Sequence, residues 1–359
     1  MLRRLLTTTR ALLGAGNRLS DSEKSTAPGR LIWLVLLAVL WPAQGLAQDQ
    51  VFRLLTFRTG GDSRLGTTQG EGSEDIVDVH NAIRYLMQGH PETVAGLAYI
   101  PADMKTLVEA GDNSISAVRR VYQTIVRLRG EGRFSEPGGQ RRVFYPPTSV
   151  RLLPPIPNPS KILGLAGNYP REDMPKYPSA FFKSVAALIG HEDNIDLAGL
   201  VTEGVHEPEL AFVIGKQAKN VPEARAFDYV VGYTILNDIT ARDLPQGNHR
   251  AQGSTIAKGL DTFSPCGPYL TLKEDVSDPH NLAIEARLNG QLWDIPNANT
   301  RHLTFKIPQT IAYLSQRMTL MPGDIIATGV PAPVVPLRAG DTVELTIQGL
   351  GTLRNRVVP

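Results

Sequence analysis

An α+β fold is predicted for this 359-residue chain, on three observations. Apolar residues recur at helical spacing between Asp75 and Arg129. Short apolar runs set off by Gly and Pro dominate from Ile162 to Ile347. The glycine pairs near Gly60 and Gly138 lack the strand-loop-helix context of a nucleotide site, which argues against a doubly wound α/β sheet.

Composition sets the outer bounds. With 42% hydrophobic and 20% charged residues the chain can bury a full core and divide into about two domains. The net charge is +2 and the basic residues are spread rather than clustered, so nothing points to a nucleic-acid partner. A single cysteine, Cys266, excludes a disulfide framework and a zinc-thiolate site; between Pro265 and Gly267 it reads as packing, not as a nucleophile.

Arg30 is followed by an apolar run, Leu31 to Trp41, and then by Gly45-Leu46-Ala47. About eleven apolar residues are too few for a membrane span of about 20, but they fit a secretory signal with cleavage near Ala47. The expectation is therefore an exported, periplasmic protein, with a retained membrane anchor at 31–47 as the alternative. Residues 1–47 are set aside as signal and extended leader.

Residues 51–150 read as a small α+β domain. Val51 to Phe57 alternates and ends at Gly60-Gly61, as an opening strand and turn do. Helices are expected at Asp75 to Gln88, Asp103 to Gly111 and Ser114 to Arg129, the last carrying Ile115, Val118, Val121, Tyr122 and Ile125 on one face. Gly130 to Gly139 is a loop. Pro154, Pro155, Pro157 and Pro159 form a stiff connector that no helix crosses, and a second domain, 158–359, is placed after it. Strands are expected there at Ile162 to Ala166, Leu210 to Ile214, Val230 to Leu236, Leu282 to Leu288, Ile325 to Thr328 and Thr342 to Ile347, with one helix at Ile307 to Gln316.

Two acidic segments carry the chemistry. Glu207 and Glu209 are two apart at the head of a strand, so their side chains share a face. Adjacent carboxylates repel unless a cation lies between them, which suits an oxygen-ligand site for Mg²⁺, Mn²⁺ or Ca²⁺. Spacing alone does not make a site, because acidic residues at a strand edge are usually solvated. Asp238, where the apolar strand Val230 to Leu236 breaks into a charged cluster, supplies a third carboxylate and leaves other positions to water and substrate. Lys258, among Gly and apolar residues, reads equally as a surface residue or as a cation aimed at developing negative charge.

These segments, with Ile162 to Tyr169, Ala180 to Lys183, Asn237-Asp238, Ala241-Arg242-Asp243, Lys258-Gly259-x-Asp261-Thr262-Phe263, Leu320-x-Pro322-Gly323-Asp324 and Thr328-Gly329, together resemble the fumarylacetoacetate hydrolase family across 158–359. The resemblance implies a distorted β-sandwich or roll, a homodimer, and a divalent ion on Glu207, Glu209 and Asp238. It implies a metal-dependent hydrolase or lyase acting on carbon-carbon bonds of a small β-diketo or 2-oxo acid through a stabilised enolate, with Lys258 as fixed positive charge and with isomerisation or decarboxylation as the alternative. Asn168, Tyr169, Lys183, Arg242, Thr328 and Gly329 match its substrate-pocket stretches. Asn168 and Tyr169 read equally well as residues that hold backbone turns.

One departure stands out. Hydrolytic members carry a histidine three residues after the tyrosine, on a short helix, and a glutamate three further on. Here those positions are Glu172 and Pro175, and prolines at 170 and 175 rule out the usual helix. Glu172 as a substitute base, a reaction that activates no water, and a silent metal-binding fold all remain open. Downstream, Pro245 stands where a glutamine is common, in a polar stretch reaching His249 that is suited to a lid. His191 and His206 are expected on turns, with His206 at the surface or behind the site.

Overall fold

The computed structural model describes residues 51–70, 74–244, 250–331 and 334–359. The signal-peptide and anchor readings of 1–47 lie outside the described residues, as do Pro245, Gln246 and His249. Among the described residues no helix is long and apolar enough to cross a membrane.

The fold is α+β, as expected, built on a twelve-stranded mixed sheet. Its path runs from Phe144–Tyr145 through Ile76–Asp78, Asp62–Gln69 and Phe52–Thr59 to Ser264–Leu272, then Val230–Asn237, Pro208–Ile214, Ile325–Ala327, Ile162–Ala166 and Ser179–Lys183. The opening strand pairs with Ser264–Leu272 (Arg53 with Thr271, Leu54 with Leu270), so one sheet passes through both sides of the proline connector. The connector marks a change in element type, helices before it and strands after, without interrupting the sheet.

Alternation along the strands makes two cores from one sheet. Leu210, Phe212 and Ile214 face a five-stranded sheet that contributes Ile284, Ala286, Leu345 and Leu353, together with the helix Ile307–Arg317. The intervening Ala211 and Val213 face Leu86, Leu107, Val118, Val121 and Ile125 of the N-terminal helices. Side chains two apart share a face and neighbours do not, so a fully apolar run is required where both faces are covered.

Most predicted elements recur within a residue or two, and the exceptions have local causes. The helix expected from Asp75 begins at Val79, because Ile76–Asp78 pairs with Gly66 and Thr67 as a strand and Asp78 caps the helix by accepting from Asn81 N at 2.9 Å. The nine-residue strand Ser264–Leu272 is wholly buried, although Pro265, Gly267 and Pro268 hide it from a propensity reading. Lys258 lies in the last turn of a helix, Arg250–Gly259. His206 is a correction: it is in the strand Gly204–His206 and fully buried, not on a turn or at the surface.

Candidate metal centre and its cavity

Antiparallel pairing assembles the site. Pro208–Ile214 and Val230–Asn237 run in register with Pro208 opposite Asn237, so the head of one strand and the tail of the other share an edge. Asp238 N–H donates to Glu207 O at 3.0 Å and fixes the junction. One carboxylate oxygen from each of Glu207, Glu209 and Asp238 then lies within 4.8 Å of the others.

Two lysines brace this group. Lys258 Nζ donates to Glu207 Oε2 at 2.8 Å, Asp238 Oδ2 at 2.6 Å and Thr240 Oγ1 at 2.6 Å, which accounts for all three of its protons. Its ammonium also sits 4.9 Å from the centre of the Phe181 ring. Lys183, fully buried, donates to Asp238 Oδ1, Ile239 O and Lys258 O. It is not among the residues that line the cavity beside the carboxylates, so it braces Asp238 rather than facing that open space.

Burial and charge set the protonation states. Burial pulls the Lys258 ammonium down, but Asp238 and Glu207 outweigh it and hold the group above its usual range. Burial raises the Asp238 carboxyl, yet Lys183 and Lys258 prevail and keep it low. Glu209 has no such support. Burial first, then Asp238 and Glu207, push its carboxyl well above the usual range, although Gly329 N–H donates to its Oε2 at 2.7 Å. With all three carboxyls ionised against two ammoniums, one negative charge would remain in a water-poor place, which is costly without a further cation. An all-oxygen donor set of this kind fits a hard divalent ion, and Glu207, Glu209 and Asp238 are the residues that would hold it.

Gly329 is required where it is. It sits at φ 93°, and a Cβ there would lie 3.0 Å from Leu165 O and 3.1 Å from Asn168 Cβ. Asn168 holds the same region together: its side-chain amide donates to Thr328 O at 2.8 Å and Phe305 O at 3.1 Å, and its Oδ1 accepts from Phe305 N at 2.7 Å.

A cavity of about 330 Å³ opens on the carboxylates, walled by Leu165, Gly167, Tyr169, Pro170, Arg171, Phe181 and Val330 besides Lys258. The Tyr169 hydroxyl is buried without a hydrogen-bond partner among the described residues, and burial followed by Glu209 raises it, so it is a neutral phenol. Not every expected residue reaches this wall. Thr328 Oγ1 donates to Leu210 O at 2.9 Å, and Arg242 is exposed with its backbone N–H on Glu203 O. Glu172 is exposed in a turn and is not among the residues that line the cavity, and the segment from Asn168 to Pro175 contains no helix. Arg171 and Thr240 were not singled out from the sequence; only the charge of the stretch after Tyr169 hinted at the former.

Residues 158–358 match the family model described as fumarylacetoacetate (FAA) hydrolase C-terminal. The oxaloacetate tautomerase FAHD2B, mitochondrial, of Bos taurus is 34% identical over 344 residues, 92% of this chain and 98% of its own length. The oxaloacetate tautomerase YisK of Bacillus subtilis is 35% identical over 302 residues, 79% of this chain and 93% of its own. Among solved structures, maleylpyruvate hydrolase from Sphingobium sp. SYK-6, in complex with manganese(II) and pyruvate, superposes with a TM-score of 0.63 at 31% identity, covering 85% of this chain and 98% of that one.

Proposed function

This chain belongs to the fumarylacetoacetate hydrolase family, and from that premise we propose that it is an isomerase, interconverting the keto and enol forms of a small 2-oxo acid at a divalent cation. The observation that carries the choice is the cavity wall. Its titratable groups among the described residues are the three carboxylates, Lys258, Tyr169 and Arg171, and none is a free base placed to activate water.

Tautomerisation needs no water. In the ketonising direction the enol oxygen loses a proton and the neighbouring carbon gains one; Tyr169, protonated at the wall, is the group that would give the carbon its proton and take the oxygen's in return, so nothing else is gained or lost. A cation on Glu207, Glu209 and Asp238 supplies Lewis-acid polarisation of the 2-oxo carboxylate. Mg²⁺ is the proposed ion, supported by the all-oxygen donors, with Mn²⁺ and Ca²⁺ suiting the same set. Lys258 stays protonated with all its protons engaged, so it acts as a fixed positive charge near the enolate rather than as a proton carrier. Tyr169 is protonated at rest and presents its hydroxyl at the wall, where it would relay that proton. Leu165, Phe181 and Val330 exclude water and strengthen both effects.

Hydrolysis of an acylpyruvate is the second reading. It is favoured by the position of Glu172 next to Arg171, a lining residue, so that a shift of this turn would swing its carboxylate over the cavity. The test is one preparation given two substrates: enol-oxaloacetate, followed by loss of its ultraviolet absorbance, and acetylpyruvate, followed by release of acetate. Rapid ketonisation without acetate release is expected. Acetate release that disappears in Glu172→Gln, with no effect on the enol, would replace the first reading by the second.

A further inference from the structure

We propose that Arg171, oriented by Asp173, is the subsite for a second carboxylate of the substrate, remote from the cation, and so selects dicarboxylic over monocarboxylic 2-oxo acids. This rests on the 2-oxo acid reading above.

The other polar groups on the wall of the cavity are already committed. Lys258 is held by Glu207, Asp238 and Thr240, and Tyr169 is neutral. Arg171 is the other cation on the described wall, and its side-chain hydrogen bonds go to Asp173, not to the three carboxylates of the cluster. It follows Tyr169 by two residues, in the turn whose prolines keep it from coiling into a helix.

The guanidinium is fixed along one edge. Nε and Nη2 donate to the two oxygens of Asp173 at 2.5 and 2.6 Å, the parallel fork in which Arg and carboxylate fit best. That fork leaves Nη1, which lies over Gly167: a Cβ built on Gly167 would come within 3.2 Å of it. Gly167 is itself a lining residue, at φ 64°, so the guanidinium rests on bare backbone at the rim. Arg171 and Asp173 are half-exposed and exposed, and a pair in that setting adds little to stability. Its physical consequence is orientation of the guanidinium, with a planar donor edge held ready for an anion. A cavity of about 330 Å³ suits a small acid whose 2-oxo carboxylate lies at the carboxylate cluster and whose far carboxylate meets this edge.

Three proteins decide the matter: the unaltered chain, Arg171→Gln and Arg171→Lys, each loaded with Mg²⁺. The kcat/KM ratio for enol-oxaloacetate over enol-phenylpyruvate is measured, with calorimetric binding of 2-oxoglutarate and of pyruvate as probes that need no turnover. Loss of one charge-assisted contact predicts a fall of about 10- to 100-fold in the ratio for Arg171→Gln, expressed mainly in KM. 2-Oxoglutarate binding should weaken to match while pyruvate binding shifts far less, and Arg171→Lys should fall between. Equal losses for both acids, or no loss for either, would overturn the assignment. If the unaltered protein turns over neither enol, the functional reading fails, and the two binding probes still decide whether Arg171 recognises the second carboxylate.

Discussion

His206 shows how much one side chain can reveal about a buried site. It stands next to Glu207, fully buried, with both ring nitrogens lacking a hydrogen-bond partner among the described residues. Burial lowers its pKa from the usual 6.5 to about 3, so the folded protein keeps the ring neutral. Between those values the unfolded chain binds a proton that the folded chain refuses, and stability must rise with pH. The contribution is complete above about pH 6.5 and is lost progressively toward pH 3, reaching roughly 5 kcal/mol. Replacing His206 by Leu removes both that liability and an unsatisfied buried N–H. Thermal unfolding scans from pH 4 to 7 should show a flatter profile for His206→Leu than for the unaltered protein, with equal or higher Tm at pH 7. Parallel profiles would mean that the ring has a partner or access to water.

At the scale of elements, the site depends on where strands begin and end. Thr328-Gly329 follows the strand Ile325–Ala327, and Thr328 N donates to Leu210 O, which aims Gly329 N–H at Glu209. Gly329→Ala puts a Cβ into Leu165 O at a positive φ, a strain of about 1–3 kcal/mol. Tm should fall by several degrees, and Mg²⁺ should restore less of it than in the unaltered protein because Glu209 is displaced. Full restoration by Mg²⁺ would show that Gly329 matters to the fold alone. Elements of this kind were legible where local chemistry and packing agreed. Ile162–Ala166 and Thr342–Ile347 keep their predicted limits, and the two glutamates at a strand head led directly to the carboxylate cluster. Ser264–Leu272 was hidden because its prolines and glycine speak against a strand that tertiary pairing nevertheless imposes. Lys183 matched a pocket stretch by position, but only the packing of Ser179–Lys183 beside Asp238 makes it a brace for that carboxylate. Arg171 went unremarked because a charged residue between prolines looks the same whether it faces solvent or a cavity.

The molecule as a whole is arranged to hold three carboxylates together in a place that water scarcely reaches. Helices cover one face of the large sheet, a second sheet covers the other, and the paired strand ends carry Glu207, Glu209 and Asp238 to a shared edge. The two lysines neutralise part of the charge and a bound divalent cation would more than offset the remainder, which would tie cation binding to stability as well as to the proposed catalysis. On the proposed function a cation held by these residues is needed for tautomerisation. That requirement is tested most directly by measuring enol-oxaloacetate ketonisation after chelation and during titration with Mg²⁺, for the unaltered protein and for Glu209→Gln. The unaltered protein should lose its acceleration with chelator and regain it as one ion binds per chain, while Glu209→Gln should need at least about tenfold more Mg²⁺. Undiminished ketonisation in the thoroughly chelated protein, or an unchanged Mg²⁺ requirement in Glu209→Gln, would rule out a catalytic cation on these carboxylates.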